Sequence, residues 1–263
     1  MSLDPALDPR AALDQLLTHE AWAVVRTRDA ATVTLVGGRR SEVASLLDVP
    51  LETGPPPPGR RYDRLLAVPF RQVRERGFAA HDDGAPLTVV EVETEVEVPL
   101  PDLVAALPDE PLRFSDRGRF ETSDEEYAEV VRRIIDDEIG HGEGANLVVA
   151  RHYRAQVEDW GPAAALGVLR RLLATERGAY WTYVVWTGER WLVGASPERH
   201  VSVHGGDVRM NPISGTFRLR GVPEEQRKAR LLEFLADEKE IYELFMVVDE
   251  ELKMMCDVCD RGG

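Results

Sequence analysis

The chain of 263 residues is 43% hydrophobic and 30% charged, which suits one large domain or two small ones with a sizeable core. Its 47 acidic residues outnumber 32 Lys and Arg, for a formal charge of −15. That field repels nucleic acid and anionic membrane surfaces. An anionic substrate would need local compensation from Arg, backbone N–H groups or a divalent cation. No stretch reaches the ~20 apolar residues of a membrane span, and the acidic start MSLDPALDPRAALDQLL lacks the order of a signal peptide. A cytoplasmic protein without nucleic-acid or membrane partners is expected.

Residues 5–18 predict a short helix, and 32–36 a strand ended by Gly37-Gly38. The run GPPPPG at 54–59 reads as a stiff polyproline connector. Residues 89–99, VVEVETEVEVP, alternate with period two, as a half-buried strand with a charged outer face does. From Phe114 the pattern sharpens. Thr122 with Glu125, or Ser123 with Glu126, offers a capping box for a helix through Tyr127 and Ile139 that Gly140 stops.

A glycine-broken turn, GHGEG, leads to a strand over 146–151, and 161–175 predicts a second amphipathic helix. Strands follow at 179–186 and 190–194, then at 199–204, which Gly205-Gly206 turns into 207–211. The span 224–259 reads as one long helical stretch. It holds the only cysteines, Cys256 and Cys259. With no second CxxC or HxxxH to complete a zinc site, two buried helical cysteines are expected. The order of helices and strands implies an α+β fold with an antiparallel sheet.

Three segments bring polar residues to element ends. In GASPER (194–199) a strand ends at Gly194 and Glu198 opens the next one. A carboxylate there can serve as general acid or base, although an exposed turn of solvated charges is the commoner outcome. In NPISGT (211–216), Ser214, Gly215 and Thr216 present hydroxyl and backbone N–H groups that suit a carboxylate ligand. A plain Asx or Ser/Thr turn fits equally. In DEKEIYE (237–243), Glu240 and Glu243 lie on one helical face. A hard cation such as Mg²⁺ would reverse their repulsion, and a solvated acidic face is the ordinary alternative.

Taken in order, Tyr127 with its helix, GEGANLVVA (142–150), GASPERHVSV (194–203), NPISGT and DEKEIYELFMVVDE (237–250) resemble the chorismate-binding family. Its members include the anthranilate synthase large subunit and the aminodeoxychorismate, isochorismate and salicylate synthases. The wording of NPISGT, GEGAN and DEELKMMCDVC looks most like the phenazine-type 2-amino-2-deoxyisochorismate synthases.

The resemblance implies an anthranilate synthase component I-like fold, a layered antiparallel sheet with outer helices. It assigns 1–113 to the N-terminal region and 114–263 to the first part of the chorismate-binding domain. It implies amination of chorismate, to 2-amino-2-deoxyisochorismate or anthranilate, with Mg²⁺ as cofactor and ammonia from a glutamine amidotransferase domain or subunit, and it leaves a homodimer open. A truncated or degenerate non-catalytic homologue acting as an interaction subunit is the alternative, and an isochorismate or salicylate synthase a further one. Glu240 and Glu243 match metal carboxylates, Glu198 the acid for the departing C4 hydroxyl, and Ser214, Gly215 and Thr216 the pocket loop. Water-adding members carry a lysine where this chain has Asn146, and an amide cannot act as a base at neutral pH. Amination is therefore implied over hydration. Three departures stand out: Leu244 replaces the family's histidine, FRLRG follows Thr216 in place of R-P-R-G, and family members continue beyond position 263. The further metal carboxylates, catalytic histidine and carboxylate-binding arginine of that later part are expected to be missing.

Overall fold

The computed structural model describes residues 8–51, 54, 61–142 and 147–260. Along the chain these form α1 (Pro9–Leu16), β1 (Ala21–Thr27), β2 (Thr32–Val43), β3 (Arg64–Ala67), β4 (Leu87–Pro99) and α2 (Leu100–Ala106). Next come β5 (Arg119–Phe120), α3 (Asp124–Arg133), β6 (Tyr153–Arg154), α4 (Pro162–Thr175), β7 (Trp181–Trp186) and β8 (Trp191–Ser196). The hairpin β9 (Ser202–His204) and β10 (Asp207–Arg209) precedes α5 (Glu224–Leu235) and α6 (Glu238–Val258). The chain is thus α+β, with every paired strand antiparallel.

These elements form two compact, interleaved units. The first takes the described residues up to Arg113 together with Glu158–Pro197, and the second takes Phe114–Val157 with the described residues from Glu198 onward.

The first unit is a six-stranded sheet in the order β3-β4-β2-β1-β7-β8. Its registers set Val96, Leu35, Val24, Val184 and Val193 side by side across five strands. With side chains alternating faces, this row is an apolar stripe, and α1, α2 and α4 cover it. Leu13, Leu16, Leu103, Leu166 and Leu169 complete the same core. Trp22, Trp186 and Trp191 cluster at the end of the row, with ring centroids 5.4 and 4.7 Å from Trp191.

Strand β2 continues past Gly37-Gly38 to Val43, where an early end was expected. A bulge between the two glycines carries the strand through. A Cβ on Gly38 would lie 1.8 Å from the Glu91 carbonyl oxygen, so only glycine lets β4 approach there. The acidic outer face of β4 is a partnered strand face. Glu91 and Glu93 accept from Arg39 at 2.8 and 2.9 Å, and Glu95 accepts the backbone N–H groups of Arg61 and Tyr62. The proline run, apart from Gly54, lies outside the described residues.

The second unit is assembled differently. Among its described residues none is buried. Of the two capping boxes open to the sequence, Ser123 with Glu126 forms, and the Ser123 backbone N–H holds the Glu126 carboxyl below its usual range. Beyond Arg133 the helix widens into a π-helical turn, Ile134–Ile139, before Gly140 caps it. The strand expected over 146–151 does not form in its described part. Residues 147–151 have no strand neighbour to complete a ladder among the described residues, and β6 pairs with β5 instead. The stretch expected as one helix breaks at Ala236–Asp237 into α5 and α6, because the Asp237 side chain accepts the Lys239 N–H and caps a new helix. The cysteines are not buried. Cys256 is exposed and Cys259 half-buried, on the last turn and cap of a helix that has no buried residue of its own.

Replacing the fully buried Leu169 by Ala should lower stability by about 2–5 kcal/mol in urea unfolding. Leu231→Ala on α5, 40% exposed in the wild type, should cost about 0.5 kcal/mol or less.

Candidate functional site

The site grows from the first turns of α6. Asp237 caps the helix, and the N-terminal dipole favours the negative charge of Glu238 and Glu240 in the first turn. Glu240 and Glu243, three residues apart, share one face, with side chains only 19% and 20% exposed. Lys239 bridges them, its Nζ 2.9 Å from Glu240 Oε1 and 2.7 Å from Glu243 Oε2. The bonds to Glu243 first and Glu240 second raise the Lys239 pKa well above its ordinary value.

The other Glu240 oxygen, Oε2, is shielded from solvent and accepts no hydrogen bond from the described residues. It lies in a gap left by Gly215, where a Cβ would stand 1.7 Å from it and 3.0 Å from the Phe234 ring. Phe217, two residues on, meets Phe234 of α5 with ring centroids 5.5 Å apart. The loop after β10 is thereby held between the two helices. Gly215, expected to line a pocket through its backbone, has a steric part as well: it admits a carboxylate that any side chain would displace. Ser214 is half-buried and Thr216 exposed.

The Arg199 guanidinium donates to Asn211 Oδ1, joining the segment after β8 to the start of the NPISGT loop. Arg199 and Pro212 then line an open cleft of about 420 Å³ with Val248, Glu251, Leu252 and Met255 of α6. Glu198 is exposed. It does not open a strand as expected, because pairing starts only at Ser202 and Pro197 and Glu198 belong to the connection from β8. Asn146 lies outside the described residues.

Two residues escaped the sequence reading. Glu251 follows Glu240 by eleven residues, about three helical turns, so it shares the half-buried side of α6 with Glu240, Glu243 and Val247. That periodicity was open to view. Arg151, 18% exposed, donates to the Thr122 carbonyl and to Asp124. Its guanidinium stacks 4.0 Å from the Phe120 ring centroid, and the Tyr127 hydroxyl nearby donates to the Val149 carbonyl at 3.0 Å. No local signal marks that role, since its partners lie 24 or more positions away.

Among the described residues no group of three or more His, Cys, Asp or Glu is placed to hold a metal ion, so Glu240 and Glu243 stand as a pair. A pair is enough for Mg²⁺, which takes one or two carboxylates and keeps waters or substrate oxygens for the rest. Glu240 Oε1 and Glu243 Oε2, which already share one cation in the Lys239 ammonium, are donors of the kind such an ion takes.

The family model described as chorismate binding enzyme matches residues 62–263, and the chain belongs to that family. It is 45% identical over 229 residues to "Anthranilate synthase, phenazine specific" of Pseudomonas chlororaphis, covering 86% of this chain and 35% of that protein. The protein of the same name from Pseudomonas fluorescens is 45% identical over 226 residues, with the same coverage. "Anthranilate synthase component 1" of Haloferax volcanii is 30% identical over 220 residues, 83% of this chain and 35% of its own. The chain thus spans about a third of the length of these curated relatives.

Gly215→Ala should cost about 1 kcal/mol, the low end of overpacking, because the displaced atom is the end of the Glu240 side chain. Glu240→Ala should relieve it, giving a coupling of about 0.5–1 kcal/mol in a double-mutant cycle followed by far-UV circular dichroism in urea. Additive costs would show that the two residues do not press on one another.

Proposed function

We propose that this chain forms part of a chorismate-aminating synthase of the phenazine type, making 2-amino-2-deoxyisochorismate. The observation that carries the reading is the 45% identity to two phenazine-specific anthranilate synthases, joined to a sheltered carboxylate pair beside a glycine loop. Ammonia nitrogen adds at C2 of chorismate, the ring double bonds shift, and the C4 hydroxyl leaves as water. Glu198 gives the departing hydroxyl its proton. Asn146 orients ammonia without deprotonating it, as an amide must. Ser214, Gly215 and Thr216 receive the substrate through hydroxyl and backbone N–H groups. Glu240 and Glu243 hold Mg²⁺, which when bound neutralises the ring carboxylate. The reaction is of the lyase class, with ammonia drawn from a glutamine amidotransferase domain or subunit in the cytoplasm. The complete enzyme has the layered sheet and outer helices of anthranilate synthase component I, with residues 114–263 opening its chorismate-binding domain.

A second reading, an assembly subunit, is favoured by one feature of α6. Its half-buried side carries Glu240, Glu243 and Glu251, while Leu244, Phe245 and Leu252 are 49%, 65% and 59% exposed. An amphipathic helix that turns its apolar side outward suits a face for another layer of protein. No described helix is long and apolar enough to cross a membrane, so a bilayer-spanning role for that face has no support.

Chorismate, ammonium and Mg²⁺ should yield 2-amino-2-deoxyisochorismate by chromatography when the chain is assayed with a polypeptide supplying the remaining two thirds of a phenazine-type relative. Glu240→Gln should lower the rate at least about 100-fold, the loss typical of removing one electrostatic contact to developing charge. Isochorismate formed without ammonia would establish hydration instead, and no chorismate consumption in any combination would leave the assembly reading.

A further inference from the structure

Lys239 sits where a cation is wanted, and its geometry is that of a lid. Its Nζ reaches both carboxylates, at 2.9 and 2.7 Å, with a side chain 67% exposed against 19% and 20% for Glu240 and Glu243. The ammonium therefore meets the pair from the solvent side, on a flexible four-carbon stem free to swing away. Two carboxylates and one ammonium leave a net charge of −1. A protonated lysine has no lone pair for a metal, and it repels a cation seated between the same oxygens.

We propose that Lys239 is a tethered counter-cation that holds Glu240 and Glu243 together while no metal is bound, and that an arriving divalent ion must displace it. The inference rests on the reading of Glu240 and Glu243 as the Mg²⁺ pair. Its consequence is selectivity. A monovalent ion carries no more charge than the ammonium already in place and gains nothing by exchange, whereas a divalent ion does. The residue thus weakens divalent binding in absolute terms while setting the pair against Na⁺ and K⁺. It is a specificity-determining residue that need not touch substrate.

Titration calorimetry of MgCl₂ into the full chain tests this, using wild type, Lys239→Met and the triple variant Lys239→Met/Glu240→Gln/Glu243→Gln. Lys239→Met should bind Mg²⁺ about fivefold more tightly, the scale of losing an exposed ion-pair competitor. It should also melt below wild type in EDTA and regain more on adding Mg²⁺. The triple variant should bind none. Equal or weaker binding by Lys239→Met, with binding still lost in the triple variant, overturns the role given to Lys239 and leaves the metal pair standing. No binding by either wild type or Lys239→Met, or binding that survives in the triple variant, overturns the metal pair itself. Should Lys239→Met fail to fold, Lys239→Gln keeps the stem length and loses the charge, and the same outcomes apply.

Discussion

Two like charges on one half-buried face of a helix are an unfavourable arrangement, and the surroundings of Glu240 and Glu243 answer it. Isolated on a helix, such a pair costs a few tenths of a kcal/mol, about 0.2–0.5, and sheltering from water raises that cost. The helix start at Asp237 sets a favourable dipole beneath the first carboxylate. Lys239 spans both. Gly215 yields the space for the oxygen that Lys239 does not reach. The break between α5 and α6 is thus part of the site, because a continuous helix would place neither a cap nor a positive end there.

The two units satisfy different physical conditions. In the first, Leu103, Leu169, Val24 and Val184 are fully buried, and the sheet registers align their strands without help from elsewhere. In the second, order comes from polar contacts at segment ends. The Ser123 box, the Arg151 guanidinium, the Arg199–Asn211 bond and the Lys239 bridge each fix a local geometry. Such contacts are individually weak in water, so they position side chains better than they stabilise a fold.

What the sequence disclosed follows the reach of each signal. Strand β4 and helix α4 were plain, since period two and period 3.6 are local properties of VVEVETEVEVP and the 161–175 segment. Gly37-Gly38 misled because a glycine pair marks a strand end and a bulge alike, and the choice is made by Glu91 on another strand. The shared face of Glu240 and Glu243 could be read from their spacing. The gap at Gly215 could not, because it exists only where a loop meets a helix 25 positions away. Residues 147–151 read as a strand from composition, but a strand requires a partner, and composition does not supply one.

All five tryptophans, Trp22, Trp160, Trp181, Trp186 and Trp191, fall in the first unit, whereas the second holds Tyr127, Tyr153 and Tyr242. Indole emission therefore originates wholly in the unit that holds the sheet with α1, α2 and α4. The clustered trio at Trp191, one pair edge-on and one tilted, adds a near-ultraviolet dichroic signal of the same origin. The chain is thus divided in its indoles along the line that divides its structure, with every tryptophan in the unit of the buried core and none in the unit of the carboxylate pair.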